Sequence, residues 1–193
     1  MGMIVVGDAG CATPSCHSRI VSSVSITSDR LKNYLFTKPY IANSQMLVVK
    51  KGDTSIKSTK DLKGVKVCCQ VGTTANDSAT KLIKNGINLN LTTYDQIIQC
   101  FQGLSANRAK AIIVDEVVGQ YYIKKSPNLY AAAALKLTNE PIGICFRKDS
   151  KALQVKMQKA LDAMSKDGSL KKISMKWFGK DMTSNIDTKL KML

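Results

Sequence analysis

Two short polar segments follow apolar stretches in the sequence, and both carry groups that could bind a charged ligand. Gly72, Thr73 and Thr74 come directly after the segment VKVCCQV and before a stretch with helical periodicity. Free N–H groups at the start of a helix favour an anion, and a threonine hydroxyl adds a donor. Asp115 ends the apolar segment AIIV and could accept a hydrogen bond from an ammonium group. Thr73, Thr74 and Asp115 could each instead be simple helix caps.

A third candidate is Arg30, because a guanidinium can hold a carboxylate through two parallel hydrogen bonds. Ser23 and Ser25 precede it, and strand alternation would place both on one face. Taken alone, an arginine such as Arg30 more often has an ordinary surface role. Taken together, donors at Arg30 and Thr74 and an acceptor at Asp115 match the two charged ends of a free α-amino acid.

Alternating strand and helix patterns position these residues. The pattern over residues 65–125 predicts a parallel sheet covered by helices. Ligands of such sheets bind beyond the carboxyl ends of the strands, which is where Thr74 and Asp115 fall. The predicted strands cover residues 4–6, 20–21, 24–26, 44–51, 65–71, 89–92, 111–114 and 141–147. The predicted helices cover residues 75–84, a segment capped by Thr93 and Gln96, residues 117–125, a segment capped by Ser150 and a segment that carries Trp177.

The net charge of +15 raises the question of nucleic-acid binding. Lysines occur in every segment with acids between them, and no dense basic cluster interleaves with aromatic residues. A groove for single-stranded nucleic acid would combine those two features. We therefore expect no nucleic-acid partner and interpret the lysines as a solvated surface.

Composition also argues against a metal site or a cysteine-based enzyme. The sequence contains one histidine, His17, and its six cysteines form no CxxC pair. We expect no cofactor, and we expect most cysteines to be small buried hydrophobic residues. Cys68 and Cys69 should point to opposite faces of their strand. The cysteines are Cys11, Cys16, Cys68, Cys69, Cys100 and Cys145.

The sequence shows neither a membrane helix nor a signal peptide. No apolar run approaches the ~20 residues of a membrane helix, and the apolar start is too short for a signal peptide.

The segments around these residues resemble a known family. The segments are SSVSITSDRLKNYLFTKPY, STKDLKGVKVCCQVGTTA, AIIVDEVVGQYYIKK, EPIGICFRKDS and DGSLKKISMKWFGKDM. They are similar, in order and spacing, to segments of the bacterial extracytoplasmic solute-binding proteins of family 3. These proteins bind polar amino acids for uptake systems, and the likeness is greatest to the lysine/arginine/ornithine, histidine and glutamine binders.

The resemblance implies an α/β fold of the type II periplasmic-binding kind, with two lobes joined by a two-strand hinge. Residues 1–43 and 142–193 would form lobe one, and residues 44–141 would form lobe two. The protein would bind an amino acid in the cleft between the lobes and deliver it to the membrane subunits of an ABC transporter. It would act in the periplasm or outside the cell, anchored to the membrane in a Gram-positive host.

The family also implies a role for each candidate residue. Arg30 would clamp the ligand carboxylate, and Ser25 and Thr74 would hydrogen-bond to it. Backbone N–H groups around Gly72 and Thr73 would also donate hydrogen bonds to the ligand carboxylate. The α-ammonium group would be held by Ser23 and Asp115.

One region departs from the family pattern. Ala12 stands where an aromatic residue is usual and Ser15 where phenylalanine is usual, and the chain then passes within a few residues to SRIVSS. A helix, a strand and a second helix of lobe one are missing at this point. Lobe one should therefore be incomplete, with weakened recognition of the ligand side chain and exposed apolar surface that could drive dimerisation.

Two alternatives remain open at the level of sequence. One is a remnant with weak or no ligand binding. The other is an enzyme, because some extracellular dehydratases of aromatic amino-acid precursors resemble these binders. Such an enzyme needs a positioned acid, and Glu116 and Glu140 are the only glutamates. Neither lies in a clear cleft motif, so we expect a binding protein rather than an enzyme.

Overall fold

The structure is a computed structural model that describes residues 20–184, 186 and 187. It divides into two compact units. One is Ser44–Thr138, called here the central unit. The segments before Ser44 and after Thr138 form the other, called here the flanking unit. The predicted strand at residues 4–6, the departures at Ala12 and Ser15, and Cys11, Cys16 and His17 lie outside the described residues.

The described residues form eight strands and six α-helices. The strands are β1 (Ile20–Ser25), β2 (Leu35–Phe36), β3 (Gln45–Lys50), β4 (Lys66–Gln70), β5 (Asn90–Tyr94), β6 (Ala111–Asp115), β7 (Tyr130–Lys136) and β8 (Ile142–Phe146). The helices are α1 (Ser28–Asn33), α2 (Thr74–Lys84), α3 (Ile97–Ser105), α4 (Glu116–Lys125), α5 (Lys151–Lys166) and α6 (Ser169–Phe178). A 3-10 turn covers Thr59–Leu62.

The central unit is built on one five-stranded sheet with strand order β5-β4-β6-β3-β7. Strand β4 runs parallel to β5 and β6, as the alternating pattern predicts. Strand β3 is antiparallel to both β6 and β7. The carboxyl ends of β4 and β6 therefore lie at the same edge of the sheet as the start of β3, which brings residues from three strands together there.

Apolar segments account for the core of this sheet. Strands β3 and β6 are buried along nearly their whole length, as continuous apolar runs predict. One face carries a single cluster of buried side chains from the sheet, α2 and the connecting loops. Strand β7, with sequence YAAAALK, was not predicted, because alanine favours helices and gives no clear period of two. Pairing with β3 decides its conformation.

The helix boundaries follow local capping signals in most places. The Asp61 carboxylate accepts hydrogen bonds from the Ser58 N–H at 2.8 Å and the Ser58 hydroxyl at 3.0 Å, so Ser58 and Asp61 cap the 3-10 turn. Helix α2 is followed by Gly86 at a φ of 87°, a left-handed conformation typical of the end of a helix. The predicted cap of α3 by Thr93 is wrong. Parallel pairing with β4 extends β5 through Thr93, and α3 begins after Gln96.

The flanking unit contains a smaller, antiparallel sheet with strand order β1-β8-β2. Ile144 and Phe146 of β8 pack with Leu161 of α5 as its buried cluster. The helices predicted after Ser150 and around Trp177 are confirmed as α5 and α6, which pack against each other. Helix α1 and the short strand β2 were not predicted.

All four cysteines within the described residues are free and buried, as expected for small hydrophobic side chains. Cys69 belongs to the cluster beneath α2. The Cys68 thiol lies on the opposite face, 3.8 Å from the carbonyl oxygen of Cys100 in α3. The prediction that Cys68 and Cys69 face opposite sides is confirmed. Burial raises the pKa of Cys69 to about 12, so this thiol is unreactive in the folded protein.

Candidate ligand-binding site

Thr73 and Thr74 have different roles at the junction between β4 and α2. The Thr73 hydroxyl donates to the carbonyl of Gln70 at 2.8 Å and accepts from the N–H of Asn76 at 3.4 Å. Thr73 is therefore the N-cap of α2, which was the simpler of its two interpretations. Thr74 is the first helical residue, and its hydroxyl oxygen accepts a hydrogen bond from the Gln45 side-chain amide at 2.9 Å.

The backbone at this junction can receive an anion. Helix α2 has eleven residues, and the N–H groups of its first turn have no partner inside the helix. Gly72 turns the chain into the helix at a φ of 69°, with no other atom within 4 Å of where a Cβ would be. A glycine here leaves the approach to the first turn open, so a carboxylate could reach the N–H groups of Thr74 and Ala75.

Asp115 lies at the end of β6, directly opposite Gln45 of β3 in the antiparallel register. It occupies the N-cap position of α4, yet its side chain makes no capping hydrogen bond. Instead its Oδ1 atom accepts a hydrogen bond from the Gln45 side-chain amide at 2.7 Å. The carboxylate is thus held at the sheet edge and not folded back onto its own helix.

Gln45 is the residue that sequence reasoning missed. Its side chain is completely buried, and its single amide nitrogen donates to both Thr74 and Asp115. An amide nitrogen carries two hydrogens, so this geometry uses both. A glutamine at the start of the apolar segment QMLVVK was a visible signal, because buried polar side chains need partners.

The two hydrogen bonds from Gln45 determine whether Thr74 and Asp115 can donate or accept a hydrogen bond from a ligand. The Thr74 oxygen receives a hydrogen from Gln45, so the hydrogen of the Thr74 hydroxyl itself points elsewhere and can be donated to a ligand. Asp115 keeps its role as an acceptor. The central unit therefore places one hydroxyl donor and one carboxylate acceptor on either side of a buried amide, beside the start of a helix.

The other predicted residues lie in the flanking unit. Arg30 belongs to α1, and its Nη1 atom donates to the carbonyl oxygen of Ser25 at 2.8 Å. Thr27 caps the helix by accepting from the Arg30 N–H at 3.3 Å. Arg30 is half-buried and Ser25 is buried, so the structure brings these two predicted residues together.

The position of Ser23 differs from the one that strand alternation predicts. The register between β1 and β8 shifts between Val21 and Val24, and Ser23 has a left-handed φ of 60°. Ser23 is exposed, whereas Ser25 is buried. The expectation that alternation places both serines on one face is therefore wrong, because a bulge interrupts the strand between them.

The two glutamates are both buried within the described structure. Glu116 accepts hydrogen bonds from the Ser44 hydroxyl at 2.7 Å and from Lys136 Nζ at 2.8 Å. The backbone N–H of Glu140 donates to the Asn43 carbonyl at 2.8 Å. Glu116 is thus part of an ion pair that anchors the start of α4 to β7, which is a structural role.

Two kinds of feature are absent from the residues that the structure describes. No group of three or more histidine, cysteine, aspartate or glutamate side chains there is arranged to hold a metal ion. None of the helices in that part of the chain is both long and apolar enough to span a bilayer.

These features define a class of protein. A unit with a mixed sheet and polar groups at its strand ends, together with a second α/β unit in the same chain, is typical of type II periplasmic amino-acid-binding proteins. The sequence profile of the bacterial extracellular solute-binding proteins, family 3, matches residues 18–180. The chain belongs to this family, as its motifs predict.

Known relatives agree with this assignment. The chain is 33% identical to the L-cystine-binding protein TcyJ of Escherichia coli strain K12, over 85% of this chain and 61% of the relative. It is 39% identical to an ancestral arginine-binding protein bound to arginine, with a TM-score of 0.69, over 81% of this chain and 69% of that one. An ancestral amino acid-binding protein, a precursor of cyclohexadienyl dehydratase, is 34% identical with a TM-score of 0.72, over 83% of this chain and 69% of that one. The chain spans about three fifths of the length of the curated relatives it matches first.

Proposed function

We propose that this protein binds a free amino acid without chemical turnover. The observation that carries the proposal is the Gln45 amide, which holds the Thr74 hydroxyl and the Asp115 carboxylate at one sheet edge beside the start of α2. A donor and an acceptor so placed suit the carboxylate and the ammonium group of a zwitterion. The family supports the same function.

Each predicted residue has a part in the proposed complex. Arg30 clamps the ligand carboxylate, and its hydrogen bond to the Ser25 carbonyl supports that part by holding the guanidinium in place. Thr74 and the N–H groups after Gly72 and Thr73 share the same carboxylate. The ammonium group pairs with Asp115. The proposal that Ser23 assists, and that Ser25 contributes its hydroxyl, rests on the family pattern alone.

The proposed ligands are polar or basic amino acids. Relatives of this chain are named for binding cystine and arginine. Family membership further supports delivery of the ligand to the membrane subunits of an ABC transporter, in the periplasm or outside the cell. The proposed lobes are the two compact units, and in the proposed complex they close on the ligand.

A dehydratase is the enzyme alternative, and one structural relative is a precursor of such an enzyme. The chemistry needs an acid that is positioned at the ligand. Glu116 is held by Ser44 and Lys136, and this contact favours binding over turnover. Incubation with prephenate or arogenate, followed by product analysis, would reveal the alternative.

Calorimetry with a panel of amino acids tests the proposal directly. We expect heat of binding with at least one of L-arginine, L-lysine, L-histidine, L-glutamine and L-cystine. Arg30→Ala should weaken that binding on the order of 100-fold, because a charged hydrogen-bonded clamp is lost. The matched control is Arg147→Ala, since Arg147 pairs with Asp149 on the surface of the same unit. The control should leave the affinity unchanged.

Two outcomes would contradict the proposal. The first is the absence of heat with every amino acid, together with no rise of the melting temperature at high ligand concentration, which would favour the remnant. The second is an equal loss of affinity in Arg30→Ala and Arg147→Ala, which would show that general charge and not a specific clamp holds the ligand.

A further inference from the structure

Helix α6 presents large apolar side chains to solvent. Trp177 is 50% exposed and Ile173 is 46% exposed, and they lie four residues apart on one ridge of the helix. Lys172 and Lys176 lie on the neighbouring ridge, while Ser174 on the other side is buried. These four exposed residues, called here the α6 face, form one contiguous surface that is half apolar and half cationic.

The surroundings of the α6 face are strongly basic. Residues 151–180 contain eight lysines and two aspartates, a net charge of +6 in a chain with a total of +15. Lys172 has no ion pair within the described residues. The Lys176 ammonium group lies 5.7 Å from the centre of the Trp177 ring. Helix α5, which packs against α6, adds exposed lysines and the 41% exposed Val155.

This combination selects one kind of partner. Lysine is depleted from the cores of protein interfaces, and a second copy would bring one +6 surface against another. Single-stranded nucleic acid would need several stacking rings, and the α6 face has one. A helix with lysines beside tryptophan and isoleucine suits the interface of a bilayer, where anionic headgroups meet the acyl chains.

We propose that the α6 face binds the surface of an anionic lipid bilayer. Trp177 and Ile173 enter the headgroup region, and the lysines of α5 and α6 lie over the anionic headgroups. The attraction of a lysine near such a surface corresponds to a roughly fivefold gain in partitioning for each residue. None of the four residues of the α6 face is a proposed ligand-binding residue, so substitutions there should leave amino-acid binding unchanged.

The sequence provides its own probe, because Trp177 is the only tryptophan. The purified protein is mixed with vesicles of phosphatidylcholine, with or without an equal part of phosphatidylglycerol. We expect the Trp177 emission to move to shorter wavelength, and the protein to sediment, only with the anionic vesicles. Brominated lipids should quench the emission, and high salt should reverse the binding.

Charge-reversal variants then locate the contact. Lys172→Glu with Lys176→Glu should lower vesicle partitioning by well over tenfold. The matched control is Lys81→Glu with Lys84→Glu, two exposed lysines at the end of α2 that flank the exposed Ile83 but no tryptophan. The control changes the net charge equally and should lower partitioning far less. Circular dichroism confirms that both variants fold.

Three results would overturn the proposal. Sedimentation with anionic vesicles without a change in Trp177 emission would place the contact elsewhere. An equal loss in the two charge-reversed variants would mean that net charge alone drives binding. A change in emission that follows protein concentration or added single-stranded RNA, but not vesicles, would assign the α6 face to a second copy or to nucleic acid.

Discussion

The central and flanking units differ in how many apolar side chains each one buries. Among the described residues, 25 apolar side chains of the central unit are buried, whereas seven of the flanking unit are, among them Ile144, Phe146 and Leu161. Burial of apolar side chains supplies most of the favourable free energy of folding. The central unit therefore holds its part of the site on a well-packed sheet, and we expect the flanking unit to be the less stable of the two.

Two buried phenylalanines, one in each unit, test this difference in stability. Phe101 of the central unit and Phe146 of the flanking unit are each 1% exposed. Phe101 stacks on Tyr122 with ring centres 3.9 Å apart, and Phe146 is one of three cluster residues. Phe101→Ala and Phe146→Ala should each cost about 3–5 kcal/mol. We expect the central unit to remain folded after this loss and the flanking unit to unfold.

Thiol labelling distinguishes the two units in this experiment. Cys145 reports on the flanking unit, and Cys68, Cys69 and Cys100 report on the central unit, because all four thiols are buried. In Phe146→Ala, Cys145 should react rapidly while the central thiols stay protected. Labelling of all four at one rate would show instead that the units unfold together, and the comparison would then fail.

The fold could be predicted where apolar runs and capping residues agree. Continuous apolar segments predict β3, β4 and β6, and strand–helix alternation predicts the parallel order of β4, β5 and β6. Strand β7 could not be predicted, since its four consecutive alanines carry little local preference and only pairing with β3 makes them a strand. Thr93 shows the same limit, because pairing overrides its capping potential.

The candidate site could be predicted only in part, because some of its contacts also depend on strand pairing between distant parts of the sequence. Thr74 and Asp115 follow from their places at strand ends. Gln45 lies at the start of β3, far from both in sequence, and only the antiparallel register with β6 brings it opposite Asp115. Ser23 was misplaced because a bulge is not visible in an alternating pattern.

Gln45→Glu tests whether the buried amide orients Thr74 and Asp115 in the central unit. A glutamate would accept hydrogen bonds where glutamine donates them, and it would place a second carboxylate beside Asp115. We expect the free energy of unfolding to fall by about 2–3 kcal/mol and amino-acid binding to be lost. Chemical denaturation and calorimetry measure the two effects.

Gln70→Glu is the control for this substitution. Gln70 also donates its side-chain amide, to the Asp95 carbonyl at 3.1 Å, but it is only half-buried. Its substitution should leave the affinity for amino acids unchanged and cost less stability. If Gln45→Glu bound the ligand as tightly as the wild type, the amide could not be what orients Thr74 and Asp115.

Two aspartates, one in each unit, should make the stability of the protein depend on pH, and this is the smallest effect that we expect. Ser55 donates its hydroxyl and its N–H to Asp53, with Lys110 at 3.0 Å, and these contacts lower the pKa of Asp53 to about 2. In the flanking unit, Ser184 and Thr183 donate to Asp181 and lower its pKa to about 2. A pKa below that of the unfolded chain means that the folded state prefers the carboxylate.

The sign of the pH dependence follows from these two pKa values. The stabilisation is complete above about pH 4, where both states are ionised, and is lost as pH falls towards about 2. Asp53→Asn and Asp181→Asn should each lower stability at neutral pH by about 1 kcal/mol, a value reduced by solvent screening, and should match the wild type near pH 2.

Amide hydrogen exchange in β6 and β8 measures each unit separately. Because fewer apolar side chains of the flanking unit are buried among the described residues, Asp181→Asn should raise exchange in β8 through opening of that whole unit. Asp53→Asn should change exchange in β6 only near Lys110, which pairs with Asp53. Equal effects at both strands would mean that core size does not set how each unit responds to a surface defect.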